Sequence, residues 1–163
     1  MQRRIVVMRH AKSSWKNAGQ SDHQRPLNKR GRADAPRIGA RLTELGWAPE
    51  RVLSSSATRT RETFALMNEA LGEPEVTFLD SFYLTGAEAV DDELSKLPDG
   101  VESVLVLGHN FGWESVVEWL CGESVSLTTA NAVLLSAEGA TWQDALAEVP
   151  NWTLHQLLRP KEL

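Results

Sequence analysis

The chain has 163 residues, 42% of them hydrophobic and 24% charged, with a formal net charge of −5. These values predict one globular domain over residues 1–163 and argue against a general nucleic-acid binder, which would carry a basic surface. The single cysteine excludes an intrachain disulfide and a cysteine-based metal site. No apolar stretch approaches the roughly 20 residues of a membrane span, and the first apolar run is too short for a secretory signal. We therefore expect a cytoplasmic protein that binds no membrane.

Predicted strands and helices alternate along the chain. Short apolar runs between turn-forming residues predict strands at 4–8, 51–55, 75–80, 102–110, 130–139 and 151–160. Apolar residues spaced three or four apart predict helices at 32–46, 56–72, 87–97 and 112–122. The polar segment 13–31 is predicted to be a long loop and the segment 138–151 a run of turns. Pro36 is expected near the start of its helix, where a proline is tolerated.

This alternation predicts an α/β fold whose mostly parallel central sheet is covered by helices on both faces. An α+β domain with a terminal hairpin is the alternative.

Histidines and arginines collect where the predicted strands end. Arg9 and His10 close the first strand, His109 closes the strand at 102–110, and Arg59 lies in the first turns of the helix after the second strand. Ligands of open α/β sheets bind beyond the carboxyl ends of the strands, so these side chains are expected to share one site. The positive charge of an arginine is unfavourable at the positive, N-terminal end of a helix dipole. An anion bound in front of Arg59 would explain why an arginine occupies this position.

Two histidines and several arginines around one point suit a phosphoryl group. The planar guanidinium of arginine matches phosphate oxygens, one imidazole can attack phosphorus, and a second can stabilise charge in the transition state. The sequence contains no H-E-x-x-H motif, no Asp-rich loop and no Walker A motif. It therefore predicts phosphoryl chemistry with no metal and no other cofactor.

The remaining candidates are interpreted as structural or solvated residues. Trp15 is the exception, because it follows the Arg-His pair within the long loop and could line the entrance to the site. Structural roles are expected for His23, His155 and the thiol of Cys121, and solvated positions for Lys12, Lys29 and Arg61.

Three segments together resemble the signature of the histidine phosphatase superfamily. They are "MRHAKS" at 8–13, "SSSATRTRET" at 54–63 and "VLVLGHN" at 104–110. The resemblance implies a phosphoglycerate-mutase-like fold, which is a three-layer αβα sandwich. The family triplet is Arg-His-Gly, and this chain has Ala11 in the third position. The short chain and "SDHQRPLNKRG" at 21–31 are similar to the small bacterial SixA-type phosphohistidine phosphatases.

The resemblance implies a role for each matching residue. His10 resembles the nucleophile that becomes phosphorylated, and His109 resembles the second histidine of the phosphate pocket. Arg9, Arg25 and Arg59 match the phosphate-binding arginines. Structural roles are implied for Ser55 and Thr63.

The function that this resemblance implies is a metal-independent phosphatase acting through a phosphohistidine intermediate, with protein phosphohistidine as substrate. A phosphatase for a small phosphomonoester is one alternative, and a non-catalytic phosphate-binding module on the same fold is another. A mutase is disfavoured because the chain lacks large inserted segments.

Two carboxylates compete for the role of general acid. Larger members of the family use a glutamate from mid-chain, and Glu88 lies in the corresponding region. Asp22 is favoured instead, because it shares a loop with Arg25. A third possibility is that no side-chain acid exists, since the leaving nitrogen of a phosphoramidate can already carry its proton.

Overall fold

A computed structural model describes residues 1–163 and contains one six-stranded sheet, five α-helices and three short 3-10 helices. The strands are β1 (Gln2–Arg9), β2 (Arg51–Ser55), β3 (Glu75–Leu79), β4 (Ser103–Gly108), β5 (Ala132–Glu138) and β6 (Thr153–Leu158). The helices are α1 (Lys29–Glu44), α2 (Thr58–Met67), α3 (Ala87–Leu94), α4 (Gly112–Cys121) and α5 (Trp142–Ala147).

The strands lie in the order β3-β2-β4-β1-β5-β6. The first four run parallel, β5 runs antiparallel to β1, and β6 runs antiparallel to β5. The prediction of an α/β fold with a mostly parallel sheet is confirmed, and the antiparallel pair forms one side of that same sheet. The carboxyl ends of β1 to β4 consequently lie along one edge.

Apolar layers cover both faces of the sheet. Alternate residues of β1 face opposite ways, so that Ile5 and Val7 join one buried cluster while Val6 and Met8 join the other. The first cluster includes residues of α3, α4 and α5, among them Trp113 and Trp142, and the second includes residues of α1 and α2. The predicted three-layer sandwich is confirmed.

Helix α1 begins three residues before its predicted start. The side chain of Asn28 caps it by accepting a hydrogen bond from the backbone N–H of Gly31 at 2.9 Å. Pro36 is consequently the eighth residue of the helix, and the expectation that it lies near the start is wrong. Burial of Ile38 and Leu42 against the sheet stabilises the helix despite the hydrogen bond that a proline cannot donate.

Helix α5 lies in the segment that the sequence predicted to be turns. Thr141 caps it, since its hydroxyl accepts from the N–H of Asp144 at 3.0 Å. Trp142 and Ala145 are fully buried, so packing stabilises a helix of only six residues. A helix this short shows too few apolar positions for a period to be recognised.

The chain after β1 is held against the start of α1. The backbone oxygen of Lys12 accepts from the N–H of Asn28 at 2.9 Å. A Cβ atom on Gly31 would lie 2.2 Å from that same oxygen, so only glycine permits this approach. None of the helices combines the length and apolarity needed to cross a bilayer.

Candidate active site

Two histidines lie side by side at the carboxyl ends of neighbouring strands. Arg9 pairs with Gly108 in the parallel register of β1 and β4, which places the next residues, His10 and His109, together. Their ring centroids are 5.3 Å apart, and the two residues are only 5% and 2% exposed. The convergence expected from the sequence is found in the structure.

His10 has one ring nitrogen committed and one free. Its Nδ1 lies 2.6 Å from the carbonyl oxygen of Ala11, which can only accept, so Nδ1 donates and carries the hydrogen. Burial, with further contributions from Arg59, Arg9 and Arg25, lowers the pKa of His10 to about 3, although the bond to Ala11 opposes the shift. The ring is therefore neutral near pH 7, and its Nε2 has a free lone pair.

The alanine that replaces the family glycine leaves this arrangement intact. Ala11 is fully buried and belongs to the apolar cluster beneath α1 and α2. Its backbone N–H donates to the hydroxyl of Thr63 at 3.1 Å, and that hydroxyl donates to the carbonyl of Arg59 at 2.7 Å. Thr63 thus connects the His10 segment to α2, in line with the structural role expected for it.

Ser55 is the hydrogen-bond partner of His109. Its Oγ lies 2.8 Å from Nε2 of His109 and accepts from the backbone N–H of Ala57 at 3.3 Å. When the serine hydroxyl donates to Nε2, the hydrogen of the neutral ring lies on Nδ1. Burial, with smaller contributions from His10 and Arg59, lowers the pKa of His109 to about 2. His109 is thus a neutral ring with an N–H to donate.

Asp22 connects two of the predicted arginines. Its carboxylate accepts from Nε of Arg25 and from Nη2 of Arg59, each at 3.0 Å, and also from the hydroxyl of Tyr83. Its backbone oxygen accepts from Nη1 of Arg59 at 2.7 Å. Arg59 and Arg25 are almost buried, at 3% and 8% exposure. The segment between β1 and α1 therefore forms one wall of the site.

The same contacts argue against Asp22 as a general acid. Burial alone would raise its pKa, but the hydrogen bonds from Tyr83, Arg25 and Arg59 outweigh burial and hold the pKa at about 2. A carboxylate ionised at neutral pH has no proton to donate, so the expected acid role does not fit this geometry. Glu88 is exposed in the first turn of α3 and makes no hydrogen bond to these residues.

Arg9 completes the cationic group. Its Nη1 donates to the carbonyl of Leu127 at 3.0 Å. Burial lowers the pKa of Arg9, and the nearby carboxylate of Glu114 opposes that shift. Glu114 also accepts from the side chain of Asn110 and from the N–H of Leu127, each at 2.8 Å, so it fixes the segments on both sides of Arg9.

Three buried nitrogen atoms of the site have no hydrogen-bond partner within the protein. They are Nε of Arg9, Nε of Arg59 and Nδ1 of His109; the oxygen of the Asn110 amide is the fourth buried polar atom in this state. Buried polar groups are paired in the great majority of cases, so such a cluster calls for an explanation. An anion bound among these N–H groups would satisfy all three.

Sequence reasoning missed Tyr83, whose ring packs edge-on against His109 and His23 with centroids 5.4 and 4.8 Å apart. It is the only tyrosine of the chain and follows β3 closely. The same reasoning that predicted the histidines, namely that ligands bind beyond the carboxyl ends of the strands, could have predicted Tyr83. His23 has the structural contacts expected for it, since its Nε2 lies 3.0 Å from the hydroxyl of Ser56, which donates to Asp80 at 2.5 Å.

Trp15 lies at the rim of the site, as anticipated. The residue is 77% exposed, and the guanidinium carbon of Arg25 lies 3.4 Å from its ring centroid. Lys12 is exposed and makes no ion pair. No group of three or more His, Cys, Asp or Glu side chains is arranged to hold a metal ion.

The fold of the chain is phosphoglycerate-mutase-like, and solved structures of this fold superpose on it closely. A structure assigned as the SixA phosphohistidine phosphatase of Agrobacterium tumefaciens superposes with a TM-score of 0.83 at 26% identity, over 97% of this chain and 98% of that one. The protein histidine phosphatase SixA in complex with tungstate gives the same TM-score and identity over 99% of both chains.

Comparison with known sequences supports the same class of protein. Residues 5–82 match the model of the histidine phosphatase superfamily, branch 1. An uncharacterised chloroplastic protein of Arabidopsis thaliana is 41% identical over 97% of this chain and 78% of its own length. An uncharacterised protein of Mycobacterium tuberculosis is 36% identical over 63% of this chain and 62% of its own. The chain belongs to the histidine phosphatase superfamily, and it is a phosphatase.

Proposed function

We propose that this phosphatase removes the phosphoryl group from phosphohistidine in proteins, through a phosphorylated His10 and without a metal ion. The observation that carries the proposal is the neutral ring of His10, with its Nε2 unprotonated, beside three buried nitrogen atoms that lack partners. A nucleophile requires the lone pair, and a phosphoryl group requires the N–H donors.

In the first step the lone pair of His10 Nε2 forms a bond to phosphorus while the bond from phosphorus to the substrate nitrogen breaks. The leaving nitrogen keeps the bonding pair. If the other nitrogen of the substrate ring already carries a proton, the ring leaves as neutral imidazole. This route needs no general acid, which suits a site whose Asp22 is held ionised.

In the second step water attacks the phosphorus of phospho-His10. The nitrogen–phosphorus bond breaks, Nε2 regains its electron pair, one proton passes to solvent and inorganic phosphate departs. Arg9, Arg25 and Arg59 offset the charge of the phosphoryl oxygens in both steps, and Nδ1 of His109 donates to one of them. With three guanidinium groups supplying this charge, the reaction does not require a metal.

The similarity to SixA structures described as a phosphohistidine phosphatase and a protein histidine phosphatase supports phosphohistidine in a protein as the substrate.

Capture of the phosphoenzyme tests this function. The enzyme is mixed briefly with a ³²P-phosphohistidine protein, denatured in alkali and separated by electrophoresis. We expect label on the enzyme that is stable to base and lost in acid, because a phosphorus–nitrogen bond is acid-labile. His10→Ala should carry no label and should lose at least about 10³-fold in kcat, while its unfolding transition stays cooperative.

The matched control is His155→Ala, which removes an exposed histidine of β6 and should label like the wild type. Label on His10→Ala, or more than a tenth of the wild-type rate, would show that another residue is the nucleophile. If the enzyme hydrolyses only small phosphomonoesters, its substrate is a small phosphomonoester and not a phosphohistidine protein.

A further inference from the structure

Three exposed large apolar side chains lie on loops that also carry residues of the site. The whole protein has six exposed large apolar residues. Two of them, Met1 and Leu163, are the chain ends, and Leu66 lies on α2. The other three are Trp15, Leu84 and Phe111, exposed by 77%, 58% and 80%, and we call them the apolar rim. Exposed apolar side chains that cluster often indicate a binding surface.

Each member of the rim is attached to a residue of the site. Trp15 packs on Arg25, Leu84 follows Tyr83 directly, and Phe111 lies two residues after His109. A Cβ on Gly112 would lie within 1.6 Å of the carbonyl oxygen of Thr85, so the segments bearing Leu84 and Phe111 are in contact. The rim residues therefore lie on loops that also carry residues of the cationic pocket, namely the loop after β1 and the loops after β3 and β4.

Leu84 is held in a backbone conformation that leucine rarely adopts. Its φ is +53°, in the left-handed region where a bulky side chain costs free energy. In the free protein the exposed side chain gains little burial to offset that cost. Strained residues of this kind occur at ligand-binding segments, where contact with the ligand can supply the missing stabilisation.

We infer that the apolar rim binds the polypeptide on both sides of the phosphorylated residue, so that the preferred substrates carry apolar side chains next to that residue. The inference rests on the proposed function and specifies its substrate class. The arginines take the phosphoryl group, which fixes the substrate over the pocket. The neighbouring side chains of a polypeptide then lie over Leu84 and Phe111, where a free phosphorylated metabolite has nothing to bury.

The test compares synthetic phosphohistidine peptides of equal length and charge, one with Leu and Phe next to the phosphorylated residue and one with Ser and Gly there. We expect kcat/KM for the apolar peptide to be at least tenfold higher. The variants are Leu84→Asn, which removes the apolar side chain while suiting a positive φ, and Phe111→Ser. In the double variant the preference should fall below about twofold, while turnover of free phosphohistidine stays unchanged.

Leu66→Gln is the matched control, because it removes an exposed leucine from α2, and it should keep the full preference. Urea unfolding should show Leu84→Asn to be at least as stable as the wild type, which separates loss of binding from loss of structure. Equal rates for the two wild-type peptides, or an equal loss of preference in Leu66→Gln, would overturn the inference.

Peptides with the same flanking residues but with phosphoserine in place of phosphohistidine distinguish the proposed function from the apolar-rim inference. Hydrolysis of these esters alone, with the apolar preference retained, would reject phosphohistidine as the substrate and keep the rim. Hydrolysis of phosphohistidine without any preference would reject the rim and keep the proposed function. Failure to hydrolyse any of the peptides would reject both.

Discussion

Asp22 lies among the arginines of the candidate phosphate site and is suited to position them. Its carboxylate bridges Arg25 and Arg59, and Tyr83 donates to the same group. The bridge leaves Nε of Arg59 without a partner, so the guanidinium is fixed at one end and available at the other. These contacts fit a positioning role for Asp22, whereas the sequence favoured it as the general acid.

Substitution of Asp22 by Asn tests that role. The amide loses the charge that orients both guanidinium groups, and we expect kcat/KM to fall about 10- to 100-fold, since a hydrogen bond to a charged group is worth about 1.5–3 kcal/mol. The loss should be equal for a nitrophenyl phosphate and an alkyl phosphate, because a carboxylate with a pKa of about 2 protonates neither leaving group.

The control for this substitution is Glu88→Gln, which changes an exposed carboxylate on α3 and should slow neither ester. A much larger loss on the alkyl phosphate in Asp22→Asn would restore Asp22 as the general acid. The same pattern in Glu88→Gln would assign that role to Glu88.

At the scale of elements, the start of α1 packs against the segment that follows His10. The backbone of Gly31 lies so close to Lys12 that an added Cβ would be 2.2 Å from a carbonyl oxygen. We expect Gly31→Ala to lower the free energy of unfolding by about 1–3 kcal/mol, as overpacking usually does, and to lower kcat because the segment after His10 must shift. Urea unfolding and steady-state kinetics measure the two effects.

Gly19→Ala is the comparison for Gly31→Ala, since nothing lies within 4 Å of the Cβ it would add. It should leave both stability and kcat unchanged. Normal activity in a destabilised Gly31→Ala would mean that the contact between Gly31 and Lys12 stabilises the fold without positioning His10.

The sequence predicted the elements whose signals are local and repeated. The apolar runs of β1 and β4 predict strands, and ligands of open α/β sheets bind beyond the carboxyl ends of the strands. Together these observations predict that His10, His109 and Arg59 share one site. Helix α5 escaped prediction because its stability comes from the burial of Trp142, which depends on contacts far away in the chain.

The hydrogen bonds between side chains of the site could not be predicted from the sequence either. The bridge from Asp22 to Arg59 spans 37 residues, and the bond from Tyr83 to Asp22 spans 61. No spacing rule reaches across such distances, so the protonation state of Asp22 could not be derived from its neighbours in sequence. The identity of the candidates was predictable, and their electrostatic states required the fold.

At the scale of the whole molecule, an acidic protein concentrates arginine at one point. The net charge is −5, yet Arg9, Arg25 and Arg59 converge beside two neutral histidines. If these guanidinium groups supply all the charge that the reaction needs, prolonged treatment with EDTA should leave kcat/KM within twofold of its original value. A loss of activity that Mg²⁺ or Zn²⁺ restores would show that a metal takes part.

The two histidines also make the stability of the whole protein depend on pH. The pKa values of His10 and His109 in the folded protein are about 3 and about 2, against 6.5 for an unperturbed histidine. As the pH falls below 6.5, the unfolded chain binds protons at both positions while the folded protein does not. Protonation therefore favours the unfolded chain, and stability must decrease as the pH decreases.

The size of this effect can be measured by urea unfolding. Each histidine contributes at most about 1.4 kcal/mol per pH unit, so the two should remove about 3 kcal/mol between pH 6.5 and pH 5. His10→Asn should lose about half of that dependence, whatever its own effect on stability at pH 7. The contribution of Asp22 lies outside this range, because its carboxylate titrates below pH 4. If the variant and the wild type show the same dependence, His10 is not held neutral by the fold, and the arrangement that makes its Nε2 a nucleophile is wrong.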